Sequence, residues 1–113
     1  MSPSPRRLLD SLETGGALRV CLLAGGILAL EHLGEGALLL LPRSAARRLV
    51  DLLRDLPAHG VFVLPDGSRL AVKGPDLLLS QGGCALVFLR REACDLAAAI
   101  DEMDALADDL EST

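Results

Sequence analysis

Glycine cuts the apolar part of this chain into pieces too short to be helices. Leu18 to Ala24 ends at Gly25-Gly26, Ile27 to Leu33 ends at Gly34-Glu35-Gly36, and Ala37 to Leu41 ends at Pro42. Each glycine inside a helix costs about 1 kcal/mol relative to alanine. Two-residue Gly-Gly loops instead suit tight hairpins between short strands. The punctuation therefore predicts three strands, although leucine is only a mediocre strand former.

The same logic organises the rest. Ser4-Pro5 has the residue types favoured at a helix N-cap and first turn. With Leu8, Leu9 and Leu12 following, it predicts a short N-terminal helix within residues 1–16, closed by Gly15-Gly16. From about Arg43 to Leu56, the apolar residues Ala45, Leu49, Leu52, Leu53 and Leu56 form one stripe, which predicts a helix ended by Pro57 and Gly60. Four strands are expected next, over Val61 to Leu64, Ser68 to Lys73, Asp76 to Ser80 and Cys84 to Leu89. Pro65-Asp66-Gly67 between the first two is a strong turn signal, since proline presets φ and glycine permits a positive one. A last helix is expected from about Arg91 to Leu110.

The halves repeat. Ala37 to Leu41, then Arg43 and Ala45, matches Ala85 to Leu89, then Arg91 and Ala93, at a constant offset of 48 residues. The expected fold is a single α+β domain over residues 1–113, an antiparallel β-meander closed by a helix and repeated in tandem as βββα-ββββα. The first half spans 17–57, the second 60–113, and the helices pack on one face of the sheet.

Composition sets limits on activity. Half the residues are hydrophobic but only Phe62 and Phe88 are aromatic, so the core must be aliphatic. The longest apolar run, Val20 to Leu30, is far short of the roughly 20 residues of a membrane-spanning helix. The start of the chain shows no leader pattern. Cys21, Cys84 and Cys94 are odd in number and lack C-x-x-C spacing. Both features point to a reducing, cytoplasmic setting. Ten of the eleven basic residues are arginine, which suggests a GC-rich, bacterial coding sequence. A net charge of −5 disfavours nucleic acid, whose binding rests on neutralising phosphates.

Few residues could carry chemistry. His32 and His59 are the two histidines, and no G-x-S-x-G elbow, metal-ligand spacing or phosphate-binding glycine loop accompanies them. A small enzyme using either histidine is the least favoured reading. No catalytic, cofactor or metal residue is expected. The cysteines read as small hydrophobes.

The last helix is the most informative element. Ala93, Leu96, Ile100, Met103, Ala107 and Leu110 follow heptad spacing. Asp101, Asp104, Asp108 and Glu111 form a second stripe, and Ala93 to Glu111 holds seven acids and no base. Like charges at this spacing weaken an isolated helix, and those near its C-terminus oppose the helix dipole. The helix must depend on packing of its apolar seam. Leu96, Ile100, Met103, Ala107 and Leu110 are therefore the candidate interface, with a second subunit or with the chain's own sheet. The acidic stripe is the candidate face for a basic partner.

Gly60-Val-Phe-Val-Leu-Pro65, Leu79-Ser-Gln-Gly-Gly-Cys-Ala-Leu86 and the helix from Arg91 resemble the later part of the SsgA-like proteins, which have a Whirly-type fold. The resemblance implies a role in sporulation or in recruiting the cell-division machinery. The strands-then-helix repeat is also similar in topology to the Whirly and Pur-alpha domains, which bind single strands through basic and aromatic residues. The order of elements is compatible with type III secretion chaperones, which are small acidic dimers. The expected function is a non-enzymatic, acidic regulatory or adaptor protein acting through protein–protein contact as a homodimer. Alternatives are a secretion-type chaperone that binds a segment of a client protein, and a single-stranded nucleic-acid binder.

Overall fold

The computed structural model describes residues 8–111. Four strands, β1 (Leu8–Glu13), β2 (Leu18–Leu23), β3 (Ile27–His32) and β4 (Leu38–Leu41), lead into α1 (Arg43–Arg54). Four more, β5 (His59–Val63), β6 (Arg69–Lys73), β7 (Asp76–Gln81) and β8 (Cys84–Leu89), lead through a 3₁₀ turn at Arg90–Glu92 into α2 (Ala93–Glu111). Each set of strands is its own antiparallel sheet, in the orders β1-β2-β3-β4 and β5-β6-β7-β8. The fold is α+β, a tandem ββββα repeat, and no helix among the described residues is long and apolar enough to cross a membrane.

One expectation is overturned. Residues 8–13 form β1, not the end of an N-terminal helix; Ser4 and Pro5 lie outside the described residues. The helical spacing of Leu8, Leu9 and Leu12 is real, but pairing with β2 wins, matching Ser11 with Cys21, Leu12 with Val20 and Glu13 with Arg19. Thr14 makes the turn: its N–H donates to the Leu18 carbonyl at 3.0 Å, and its Oγ1 accepts from the Gly16 N–H at 3.3 Å. Each repeat therefore has four strands, so the first half is ββββα instead of βββα.

Alternation builds the core. Leu18, Val20 and Leu22 of β2 point inward, as do Leu28 and Leu30 of β3, Leu70 and Val72 of β6, Leu77 and Leu79 of β7, and Leu86 and Phe88 of β8. These residues join Ala45, Leu49 and Leu53 of α1 and Leu96, Ile100 and Met103 of α2 in one contiguous cluster. Burying one leucine side chain contributes about 1.5–3 kcal/mol. With almost no aromatic volume, the core depends on many such aliphatic contacts.

Polar links join the repeats. The Gln81 side chain grips the β4 backbone: the Leu40 N–H donates to Gln81 Oε1 at 3.3 Å, and Gln81 Nε2 donates to the Leu40 carbonyl. Arg90 donates to the carbonyls of Gly74 at 2.9 Å, Leu56 at 3.4 Å and Pro57. It thereby ties the β6–β7 turn to the chain leaving α1.

The β7–β8 turn separates backbone need from space. Gly82 sits at φ 57° and Gly83 outside the left-handed region, and a Cβ on either would meet nothing within 4 Å. Gly82→Ala should cost about 1 kcal/mol by denaturant unfolding, because L-residues are strained there. Gly83→Ala should stay within about 0.5 kcal/mol of wild type. Equal losses for the two would contradict the turn geometry.

Candidate protein-interaction surface

The seam of α2 is used inside the chain. Leu96, Ile100, Met103 and Ala107 are all buried in the core, while Leu110 is 48% exposed. The seam as a surface for a second subunit is thus corrected. Two sheets and a helix pair supply enough apolar area to cover it within one chain.

The acidic stripe also has its basic partner in the same chain. Arg43 Nε donates to Asp104 Oδ1 at 2.7 Å, and Arg47 Nε donates to Asp104 Oδ2 at 2.9 Å. Arg43 also pairs with Asp108, and Arg54 with Asp101. The side chain of Glu111 lies outside the described residues. Burial pushes the Asp104 carboxyl up, but the hydrogen bonds and charges of Arg43 and Arg47 outweigh it and hold its pKa below the ordinary 3.8. Asp101, Asp104 and Asp108 thus bond α2 to α1, with Asp101 and Asp108 still 43% and 57% exposed.

Most of the exposed large hydrophobic residues lie on the outer faces of the sheets. In the first sheet, cross-strand registers set Ser11, Cys21, Ala29 and Leu40 in one row and Glu13, Arg19, Glu31 and Leu38 in the next. Leu8 and Leu23 pair at the far end. All of these but Ser11 and Glu13 line an open hollow of about 460 Å³. Its lining runs from Ala29, only 2% exposed, to Leu8 and Leu38, 56% and 47% exposed. Arg19 closes one side, donating to Glu13 at 2.9 Å and Glu31 at 3.2 Å. Burial pushes the Cys21 thiol up, Glu31 adds to the rise, and Arg19 partly opposes it. That thiol stays protonated at neutral pH.

The second sheet mirrors this without the hollow walls. Val61, Ala71, Leu78 and Val87 form an apolar row across all four strands. Val61 and Val63 are 66% and 64% exposed. Lys73 and Asp76 flank that row on one side and Arg69 on the other. An antiparallel sheet with one wet face reads as alternation. The unbroken runs Leu38 to Leu41 and Leu77 to Leu79 break that pattern, and they are the sequence signal that marks these outer faces.

The two histidines sit at strand ends. His32 Nδ1 accepts from the Glu35 N–H at 3.1 Å within the β3–β4 loop. His59 is exposed at the start of β5. Among the described residues, no three histidine, cysteine or acidic side chains converge as metal ligands. The outer faces of the sheets offer apolar contact framed by charge.

Asp104→Asn should lower stability at neutral pH by about 1.5–3 kcal/mol, the scale of hydrogen bonds to a charged group. A depressed pKa contributes stability that is present above the unfolded-state value and lost as pH falls through the folded-state value. The gap between wild type and variant should therefore narrow as pH drops below 3.8. A gap that stays constant under acid unfolding would show that the Asp104 charge does not matter.

No family model, no curated protein and no solved structure matches this chain, so the surface itself must carry the functional reading.

Proposed function

We propose that this chain is a non-enzymatic regulatory or adaptor protein that acts by binding protein on the outer faces of its sheets, self-association included. One observation carries this reading. Both helices and both inner faces are spent on the core, yet the outer faces still present ordered apolar rows. Exposed apolar surface of this extent costs solubility unless it is covered, and contiguous patches mark interaction sites.

The residue types on these faces favour protein over nucleic acid. Phe88 is buried and Phe62 packs against the core, which leaves no aromatic platform for bases among the described residues of either outer face. Arg19 is engaged by two glutamates. The stretches that resemble SsgA-like proteins fall on β5, the β7–β8 hairpin and α2. A recruiting role of the kind that resemblance implies is consistent with a protein-binding surface.

Affinity capture with the full chain tests this. Wild type should retain a protein in near-stoichiometric amount, and Leu40→Glu on the first sheet or Val87→Glu on the second should lose it. A buried, unpaired carboxylate at an interface centre costs about 2–5 kcal/mol, enough to drop retention more than tenfold. Capture unaffected by both changes would overturn the reading. Tight retention of a single-stranded oligonucleotide that weakens steeply with salt would replace it with nucleic-acid binding.

A further inference from the structure

The two outer faces differ in shape and in the sign of their charge, and the difference points to a partner. On the first sheet the hollow is lined by Glu31 and Arg19, and Glu13 lies beside Arg19 in the same row, two acids against a single base. On the second, the apolar row is framed by Arg69 and Lys73 against the single acid Asp76. One face carries an excess acid and the other an excess base. The shapes also correspond. The hollow sets the small, buried Ala29 among exposed leucines, while on the second sheet Val61, Val63 and Val87 are 66%, 64% and 49% exposed.

Resting on the reading above that these faces bind protein, we propose that the hollow on the first sheet of one copy receives the outer face of the second sheet of another copy. Copies then join head to tail. Such a contact is heterologous: the two surfaces that meet are different, so copies close into a ring or extend as a chain. Like-with-like pairing is disfavoured on this surface. Two first-sheet faces would bring excess acid together, and two second-sheet faces would bring excess base together and leave both hollows unfilled. Sheets that pack face to face sit about 10 Å apart, close enough for valines to enter the hollow.

Mixing two blocked variants tests the proposal on the purified full chain. Leu40→Glu blocks the first-sheet face and Val87→Glu the second, and using the same carboxylate prevents the altered faces from attracting each other. Leu40 and Val87 are 40% and 49% exposed, so both changes are compatible with folding. If either variant loses its wild-type circular-dichroism spectrum, Leu38→Glu or Val61→Glu replaces it. By light scattering, wild type should at least double in mass as concentration rises. Each variant alone should keep the mass of one chain. An equimolar mixture should form a heterodimer, because one intact face of each kind remains. Cys21 of the Val87→Glu copy, whose hollow is filled in the heterodimer, should label more slowly in the mixture than in Val87→Glu alone, with Cys21 of the Leu40→Glu copy and exposed Cys94 on α2 unchanged.

A variant that still associates by itself would overturn the proposal in favour of like-with-like pairing. A mixture that stays monomeric would overturn it as well. A wild type that is monomeric at every concentration, yet captures a different protein in a face-dependent way, would overturn head-to-tail assembly and leave the adaptor reading standing.

Discussion

The fold depends on two helices, each carrying at one end charges that oppose its dipole. Arg43 and Arg47 stand in the first turns of α1, where the dipole disfavours cations. Asp104 and Asp108 stand near the C-terminal end of α2, where it disfavours anions. Packed in opposite senses, the two misfits face each other and become ion pairs. Asp104 is only 14% exposed, so its pairs are less screened than surface pairs. Each helix is a poor free-standing helix and a good partner. Since α1 closes one repeat and α2 the other, this contact holds the repeats together.

With the helices committed to each other, the sheets have only their inner faces covered. That division explains why the chain is so rich in leucine on strands. Leu39 and Leu41 of β4 serve the core while Leu38 and Leu40 face outward. A chain needing one dry face would alternate apolar with polar residues; one needing two has no such reason. The small Ala29 beneath Leu40 shows the outer face to be shaped, with depth at its centre and charge at one margin.

Much of this was legible in the residues, and the failures share a cause. Glycine punctuation placed seven of the eight strands, and both long helices were marked by apolar stripes. The eighth strand escaped because Leu8, Leu9 and Leu12 satisfy helical spacing; only pairing with β2, a non-local event, decides the matter. The α2 seam and its acids were visible as features, but periodicity shows that a stripe is apolar without showing what covers it. The answer lay in Arg43, Arg47 and Arg54, spaced along α1 to meet Asp108, Asp104 and Asp101. The outer faces were missed because leucine runs were read only as strand length, when their lack of alternation carried the message.

The grip of Gln81 on Leu40 reaches beyond joining the repeats. A carboxamide has one donor edge and one acceptor edge, like a peptide group, and here both are spent on the margin of β4 beside β8. An incoming extended chain would find that position already taken, so runaway stacking into fibrils is blocked along this margin. On the opposite margin β1 has its own interruptions, a register shift between Leu8 and Asp10 and the acidic Asp10 itself. The leucine-rich first sheet thus confines its stickiness to its broad face, where shape can choose a partner, and withholds it from its edges, where any polypeptide would do.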